Sequence, residues 1–214
     1  MPNAVCDLIR AVAEVLRRED LDRQAGDLER PLAVAIPPCG PTIGNEMEGR
    51  RGGTSAAAEV YLSAALEDVE AGGARGLAAP LALLRDCLHW TQTAARVAAP
   101  PHDRFLERYA HATILGSPPA VRVDPTRTAA LGVLLLGPEK HYPHHHHPAD
   151  EIYIPLTVAT WSSGLHAPYR DLRPGRPLHH RPHQPHAIRI GHRPLLSIYL
   201  WTGDTTTPAQ LMTR

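Results

Sequence analysis

The chain has no surplus charge of either sign: among 214 residues, 22 Lys and Arg balance 22 Asp and Glu. With no basic excess to neutralise a phosphate backbone, a nucleic-acid partner is not expected. Cysteine is scarce. The three present, Cys6, Cys39 and Cys87, are odd in number and lack metal-type spacing. That argues against a disulfide framework and fits a reducing compartment. Long apolar runs are also missing: none approaches the about 20 residues that cross a bilayer. Asp7, Arg10, Glu14 and Arg17 interrupt the start of the chain, so no signal-peptide core is expected there. These absences lead us to expect a soluble, cytoplasmic protein with no nucleic-acid and no membrane partner.

What the chain does have is histidine, unevenly placed. Eleven of its fourteen histidines fall between His141 and His192. Upstream, apolar residues recur at helical intervals. Val5, Leu8, Ile9, Val12 and Leu16 predict a helix over 3–19, with Asn3 as a cap. The Pro/Gly-rich stretch 31–54 reads as a loop, with residues 37–54 as a candidate active-site cover. Further helices are predicted over 55–70, over 77–97 with its regular part starting at Pro80 and Leu81, and over 103–115. Trp90 is expected in the core. From Val121 onward helical spacing gives way to short β-favouring runs, notably 129–136, 151–156, 187–190 and 195–201. The expected architecture is mainly β with a helical N-terminal part: a helical region over 1–120 packed on a β-barrel over 121–214.

The stretch 137–153 organises this second half. Alternate side chains of a strand face the same way, so His145 and His147 can converge on one ion. After the Pro148-Ala149-Asp150 turn, Glu151 and Tyr153 share one face, and Ile152 and Ile154 point away. His186, further along, can complete the set. The pair His144 and His146 fits the spacing to Glu151 nearly as well, and local geometry leaves both registers open. Imidazole and carboxylate donors suit one divalent transition metal: zinc, iron(II), manganese or nickel. His166, His179, His180, His183 and His192 are expected to be solvated or to stand behind the ligands.

The pattern His-x-His-x3-Glu, followed by Pro182-x3-His186, resembles the two metal motifs of the cupin superfamily, whose fold is a double-stranded β-helix or jelly-roll barrel. Tyr142-x2-His145-x-His147-Pro-Ala-Asp-Glu151-x-Tyr153, then Gln-Pro-His186-Ala-Ile-Arg, then Pro-Leu-Leu-Ser-Ile-Tyr-Leu-Trp201, more specifically resembles the cupin-type dimethylsulfoniopropionate (DMSP) lyases. The chain departs from the usual cupin pattern in the placement of Gly137 and in carrying Thr157-Val158 where a glycine is common. The resemblance implies His147, Glu151 and His186 as metal ligands, with His145 as a fourth ligand or near neighbour. It thereby selects the odd-numbered histidines. It implies Tyr153 as general base, and Tyr142 and Trp201 as residues lining the substrate pocket, Tyr142 close to the chemistry. Tyr199 is a weaker pocket candidate.

The implied activity is β-elimination of DMSP to dimethyl sulfide and acrylate. A tyrosine, with an ordinary pKa of about 10, becomes a plausible base beside a cation, and aromatic faces suit a sulfonium. The alternatives are another metal-dependent cupin enzyme, a dioxygenase or isomerase on a small carboxylate, and a non-catalytic ligand-binding cupin. A homodimer is compatible with the sequence.

Overall fold

The computed structural model describes residues 2–33, 56–72, 74–102 and 104–212. The expected cover over 37–54, and Cys39 within it, lie outside the described residues. Among the described residues, five helices precede the sheets: α1 (Pro2–Arg17), α2 (Asp22–Ala33), α3 (Ala56–Ala71), α4 (Arg75–Leu84) and the short α5 (Ala94–Ala98). Eleven strands follow: β1 (Tyr109–Gly116), β2 (Arg122–Val123), β3 (Ala129–Leu136), β4 (His141–His146), β5 (Asp150–Pro155), β6 (Ala159–Ser162), β7 (Arg170–Leu172), β8 (Leu178–His180), β9 (His186–Arg189), β10 (Leu195–Thr202) and β11 (Gln210–Leu211). They form two sheets, ordered β2-β1-β3-β10-β5-β8 and β11-β4-β9-β6-β7. This is the expected cupin barrel with helices on its N-terminal side.

Strand alternation divides the apolar residues between two cores. Val133, Leu135, Ile152, Ile154, Ile198 and Leu200 leave the outer face of the larger sheet and pack with Leu8, Ile9, Leu28 and Leu81 of the helices. Leu134, Leu136, Tyr142, Tyr153, Trp161 and Ile188 point inward and fill the barrel. Gly132 makes one inner contact possible. A Cβ there would lie 2.4 Å from both Ala112 O and the Tyr199 hydroxyl, so only glycine lets that ring lie across β3.

Several expectations are corrected. The first helix begins at Pro2, so Asn3 lies inside it rather than at its cap. Helix α2 runs through residues 31–33, where a loop was expected. Its apolar signal is thin, since only Gln24, Ala25, Leu28 and Pro31 are buried. Packing against α1 and the Arg17–Glu29 ion pair give it what its own periodicity does not.

The helix expected over 77–97 stops at Leu84, turns through a 3-10 segment over Arg85–Cys87, and resumes only as α5. Between them Thr91 exchanges both backbone hydrogen bonds with His111, at 2.8 and 3.0 Å, and Trp90 is buried as expected. The helix expected over 103–115 is instead a 3-10 turn, Leu106–Arg108, followed by β1. Pairing of Tyr109–Leu115 with β3 overrides the local helical spacing. The first strand of the barrel thus starts at Tyr109, within the span expected to be helical up to residue 120.

The turn into β3 is held by Asp124, only 2% exposed. Its Oδ1 accepts from Thr126 N at 2.8 Å and Thr126 Oγ1 at 2.6 Å, and its Oδ2 from Thr128 N at 2.9 Å and Ala129 N at 3.1 Å. Asp124→Ala leaves these donors unpaired and is expected to cost about 3 kcal/mol. Urea denaturation measures it, and a loss below about 1 kcal/mol would mean that water replaces the carboxylate there.

Candidate metal centre

Strand register brings the histidine run against the rest of the site. In β4 and β9, His145 stands opposite His186. In β10 and β5, Trp201 stands opposite Glu151 and Tyr199 opposite Tyr153. His147 follows β4 immediately, at the turn that leads to Glu151. His145, His147, Glu151 and His186 are each at most 3% exposed.

The imidazoles are oriented by backbone carbonyls. His147 Nδ1 donates to Ala149 O at 3.2 Å, His145 Nδ1 to Pro143 O at 2.9 Å and His186 Nδ1 to Gln184 O at 2.9 Å. With the proton on Nδ1, each Nε2 presents a lone pair. Two of these face one carboxylate oxygen: His147 Nε2 and His186 Nε2 lie 3.0 and 3.1 Å from Glu151 Oε2. His186 Nε2 is buried and has no hydrogen bond. Lone pairs aimed at an anionic oxygen are unfavourable unless a cation lies among them, so the donor set fits a metal. His147, Glu151 and His186 have ligand atoms all within 4.8 Å of one another and could hold such an ion. The other Glu151 oxygen, Oε1, accepts from Trp201 Nε1 at 2.5 Å.

His145 stands outside that group of three. Its ring lies 4.1 Å from that of His186 and stacks on Tyr142 at 4.2 Å, and burial, with His186 beside it, pushes its pKa well down. The even-numbered histidines go elsewhere: His144 Nε2 bonds Gly164 O at 3.1 Å, and His146 lies beside His183, ring centroids 6.1 Å apart. Tyr153 is buried in the barrel between Trp161, at 4.9 Å, and His186, at 6.1 Å between centroids. Trp201 lies against the His147 ring at 4.3 Å, as well as bonding Glu151.

Two further residues belong to this neighbourhood: His180, one of the histidines expected to be solvated or to stand behind the ligands, and Arg96, which was not singled out by sequence. His180 has no exposed surface and stacks on His186 at 4.2 Å with ring planes 8° apart. Its Nε2 pairs with Ser163 Oγ at 3.0 Å, and burial pushes its pKa down to about 3. Strand β8 has three residues, too short for alternation to reveal His180, although its register opposite Glu151 places it here. Arg96 is 2% exposed beside Tyr142; as one of several polar residues in an apparent helix it gave no signal.

On the other face of β5, Asp150 accepts from Gln24 Nε2 at 3.1 Å and His179 Nε2 at 2.6 Å, and pairs with Arg23. Helix α2 is thereby fastened behind Glu151. A surface cavity of about 430 Å³ lined by Arg23, Asp150, His179 and Thr202 opens on this outer side, separate from the metal centre.

Residues 43–197 match the profile of the dimethylsulfoniopropionate lyase family. The chain belongs to the DMSP lyase family. The DMSP lyase DddQ of Ruegeria pomeroyi is 35% identical over 104 residues, which is 48% of this chain and 50% of that protein. The chain thus spans about half the length of that curated relative. Among solved structures, DddQ from Ruegeria pomeroyi superposes with a TM-score of 0.68 at 23% identity, covering 99% of this chain and 98% of that one. A chain from the crystal structures of the DMSP lyases RdDddP and RnDddQII gives 0.66 at 18% identity, covering 98% of both. At such identities the structural likeness is one of fold. Among the described residues no helix is long and apolar enough to cross a membrane.

Proposed function

We propose that this protein is a metal-dependent carbon–sulfur lyase that cleaves DMSP to dimethyl sulfide and acrylate by β-elimination. One juxtaposition carries the reading, with family membership in support. Glu151, faced by two imidazole lone pairs, and the buried Tyr153 leave the same face of β5 two residues apart. His147, Glu151 and His186 would hold zinc, iron(II), manganese or nickel, with His145 beside them. When bound, that ion supplies Lewis-acid stabilisation of the charge developing beside the substrate carboxylate and offsets the Glu151 charge felt by Tyr153.

The residues divide the remaining work. Burial, then Glu151, raises the Tyr153 phenol well above its ordinary pKa, so its use as a base depends on that offset. The Tyr153 oxygen takes the proton from the carbon next to the carboxylate. The electron pair left behind forms the new carbon–carbon double bond as the carbon–sulfur bond breaks, and the proton on Tyr153 later passes to solvent. Dimethyl sulfide leaves neutral, so no separate acid is needed. Tyr142 and Trp201 offer ring faces to the sulfonium, each worth about 0.5–2 kcal/mol. Phe105, Leu134 and Trp161 line the barrel with apolar surface that excludes water.

Gas chromatography of dimethyl sulfide, from metal-reconstituted protein supplied with DMSP, tests this. A metal-loaded chain that releases neither dimethyl sulfide nor acrylate would sink the proposal. Trp201→Phe adds a finer check. Removing the Nε1–H that orients Glu151 is expected to weaken metal affinity about 10- to 100-fold, as loss of an outer partner does. Competition with a chelator measures it, and an unchanged affinity would reduce Trp201 to a pocket wall.

A further inference from the structure

Trp161 carries a polar hydrogen into the apolar interior of the barrel and leaves it unpaired. The residue lies on β6, is 3% exposed, and shares the inner core with Leu136, Ile188 and Leu195. Its Nε1–H is buried with no hydrogen-bond partner among the described residues. An all-carbon side chain would fill that interior without desolvating a donor, so packing alone does not call for the indole nitrogen. Trp201 shows the contrast, since its Nε1–H has Glu151 Oε1 to bond. A buried donor left unpaired, inside a barrel proposed to act on a small acid, is the mark of a site completed by its ligand.

Strand register puts this donor beside the chemistry. Trp161 stands opposite Ile188 in β9, on the strand face that also carries His186 two residues earlier. From the facing sheet, the Tyr153 ring lies 4.9 Å from that of Trp161 and 6.1 Å from that of His186. The proton that Tyr153 takes sits on the carbon bonded to the substrate carboxylate. A donor adjoining Tyr153 is therefore within reach of a carboxylate oxygen. The sulfonium, being a cation, is no partner for an N–H, and it has the ring faces of Tyr142 and Trp201.

We infer that Trp161 recognises the substrate carboxylate, its Nε1–H donating to the oxygen that the metal centre leaves free. The inference rests on the lyase reading and deepens it: the carboxylate spans the metal centre and β6, while the sulfonium end stays with Tyr142 and Trp201. As the proton leaves, negative charge gathers on the carboxylate oxygens. The same N–H then bonds more strongly than it does in the bound substrate.

The indole proton itself reports the contact. The chain has three tryptophans, so zinc-loaded protein labelled with nitrogen-15 at the indoles gives three resonances. Trp161→Phe identifies its own by loss; Trp90→Phe and Trp201→Phe do so by elimination if that variant folds poorly. Propanoate, an acid with no group to eliminate, is titrated by magnetic resonance and by calorimetry in parallel. The Trp161 indole proton is expected to move downfield and to exchange more slowly with water as propanoate binds. Trp161→Phe should weaken propanoate about 10- to 100-fold, as loss of a hydrogen bond to a charged group does, with zinc content unchanged. With DMSP, kcat/KM should fall at least as far.

A Trp161 signal that stays in place while propanoate binds overturns the inference. So does a zinc-loaded parent that takes up no propanoate, or a Trp161→Phe chain that loses Tm while keeping its affinity. If the parent makes no dimethyl sulfide yet the Trp161 proton answers to propanoate, the lyase reading falls and Trp161 remains a carboxylate donor. If dimethyl sulfide is made and the Trp161 proton ignores propanoate, the reverse holds.

Discussion

Glu151→Gln is expected to release the metal and to lower dimethyl sulfide production by at least about 100-fold, the upper range seen when merely outer partners of a ligand are lost. Glu151 Oε2 is where His147 Nε2 and His186 Nε2 converge, at 3.0 and 3.1 Å. Glutamine keeps the shape, but its amide brings no charge to a divalent ion and can turn an N–H toward the two lone pairs. The apo chain should tolerate that exchange, since the N–H gives those lone pairs the donor they otherwise lack. The metal-loaded chain should not. A ligand that binds only the folded state stabilises it by about 2.7 kcal/mol at a hundred times its dissociation constant. The parent should therefore rise in Tm as metal is added and fall back on chelation, whereas Glu151→Gln should show neither response. A variant whose Tm still climbs with metal, over the same concentration range as the parent, would remove Glu151 from the ligand set.

The barrel was legible because its strands combine alternation with β-branched and aliphatic residues. The strands expected over 129–136, 151–156, 187–190 and 195–201 match β3, β5, β9 and β10 to within about one residue at each end. The helical side was less legible, for a physical reason. Segments 88–93 and 109–115 have compositions a helix could use, yet each finds backbone partners in a neighbouring strand, Thr91 with His111 and Tyr109–Leu115 with β3. Pairing partners distant in sequence leave no trace in local periodicity. Helix α2 was hidden in the opposite way. It buries so little apolar surface that its contacts, among them Arg23 and Gln24 on Asp150, are with groups on other elements.

The candidate site divides along the same line. Candidate ligands close together in the chain are suggested by spacing, and the motif resemblance selects the odd register, in which His147 lies against Glu151. Arg96 gave no such sign, because it enters from a five-residue helix whose own sequence is uninformative, and the three-residue strand of His180 could not tell a histidine behind the ligands from a solvated one. What makes Arg96 notable is burial with no ion pair among the described residues, a property of the folded chain alone.

Tyr153→Phe is expected to lower kcat for dimethyl sulfide release by roughly 10²- to 10⁴-fold, the range assigned to a positioned general base, while leaving metal content and Tm close to those of the parent. The phenol lies inside the barrel, 5% exposed, with Trp161 and His180 rings at 4.9 and 6.0 Å. Phenylalanine fills nearly the same volume, so a fall in rate cannot be laid to a cavity. What changes is the one oxygen available to take a proton. The environment makes this specific: burial first, then the Glu151 charge, opposes a phenolate at residue 153, so ionisation there should require the metal-loaded centre. In the parent, dimethyl sulfide release should therefore vanish on chelation and rise with pH as the phenol is deprotonated. In Tyr153→Phe the residual rate should lose that rise. If the variant keeps the rate and pH profile of the parent, the base lies elsewhere and Tyr153 is a barrel tyrosine. If rate is lost but metal is lost with it, the hydroxyl serves the metal, and the base must be sought among the other groups around Glu151.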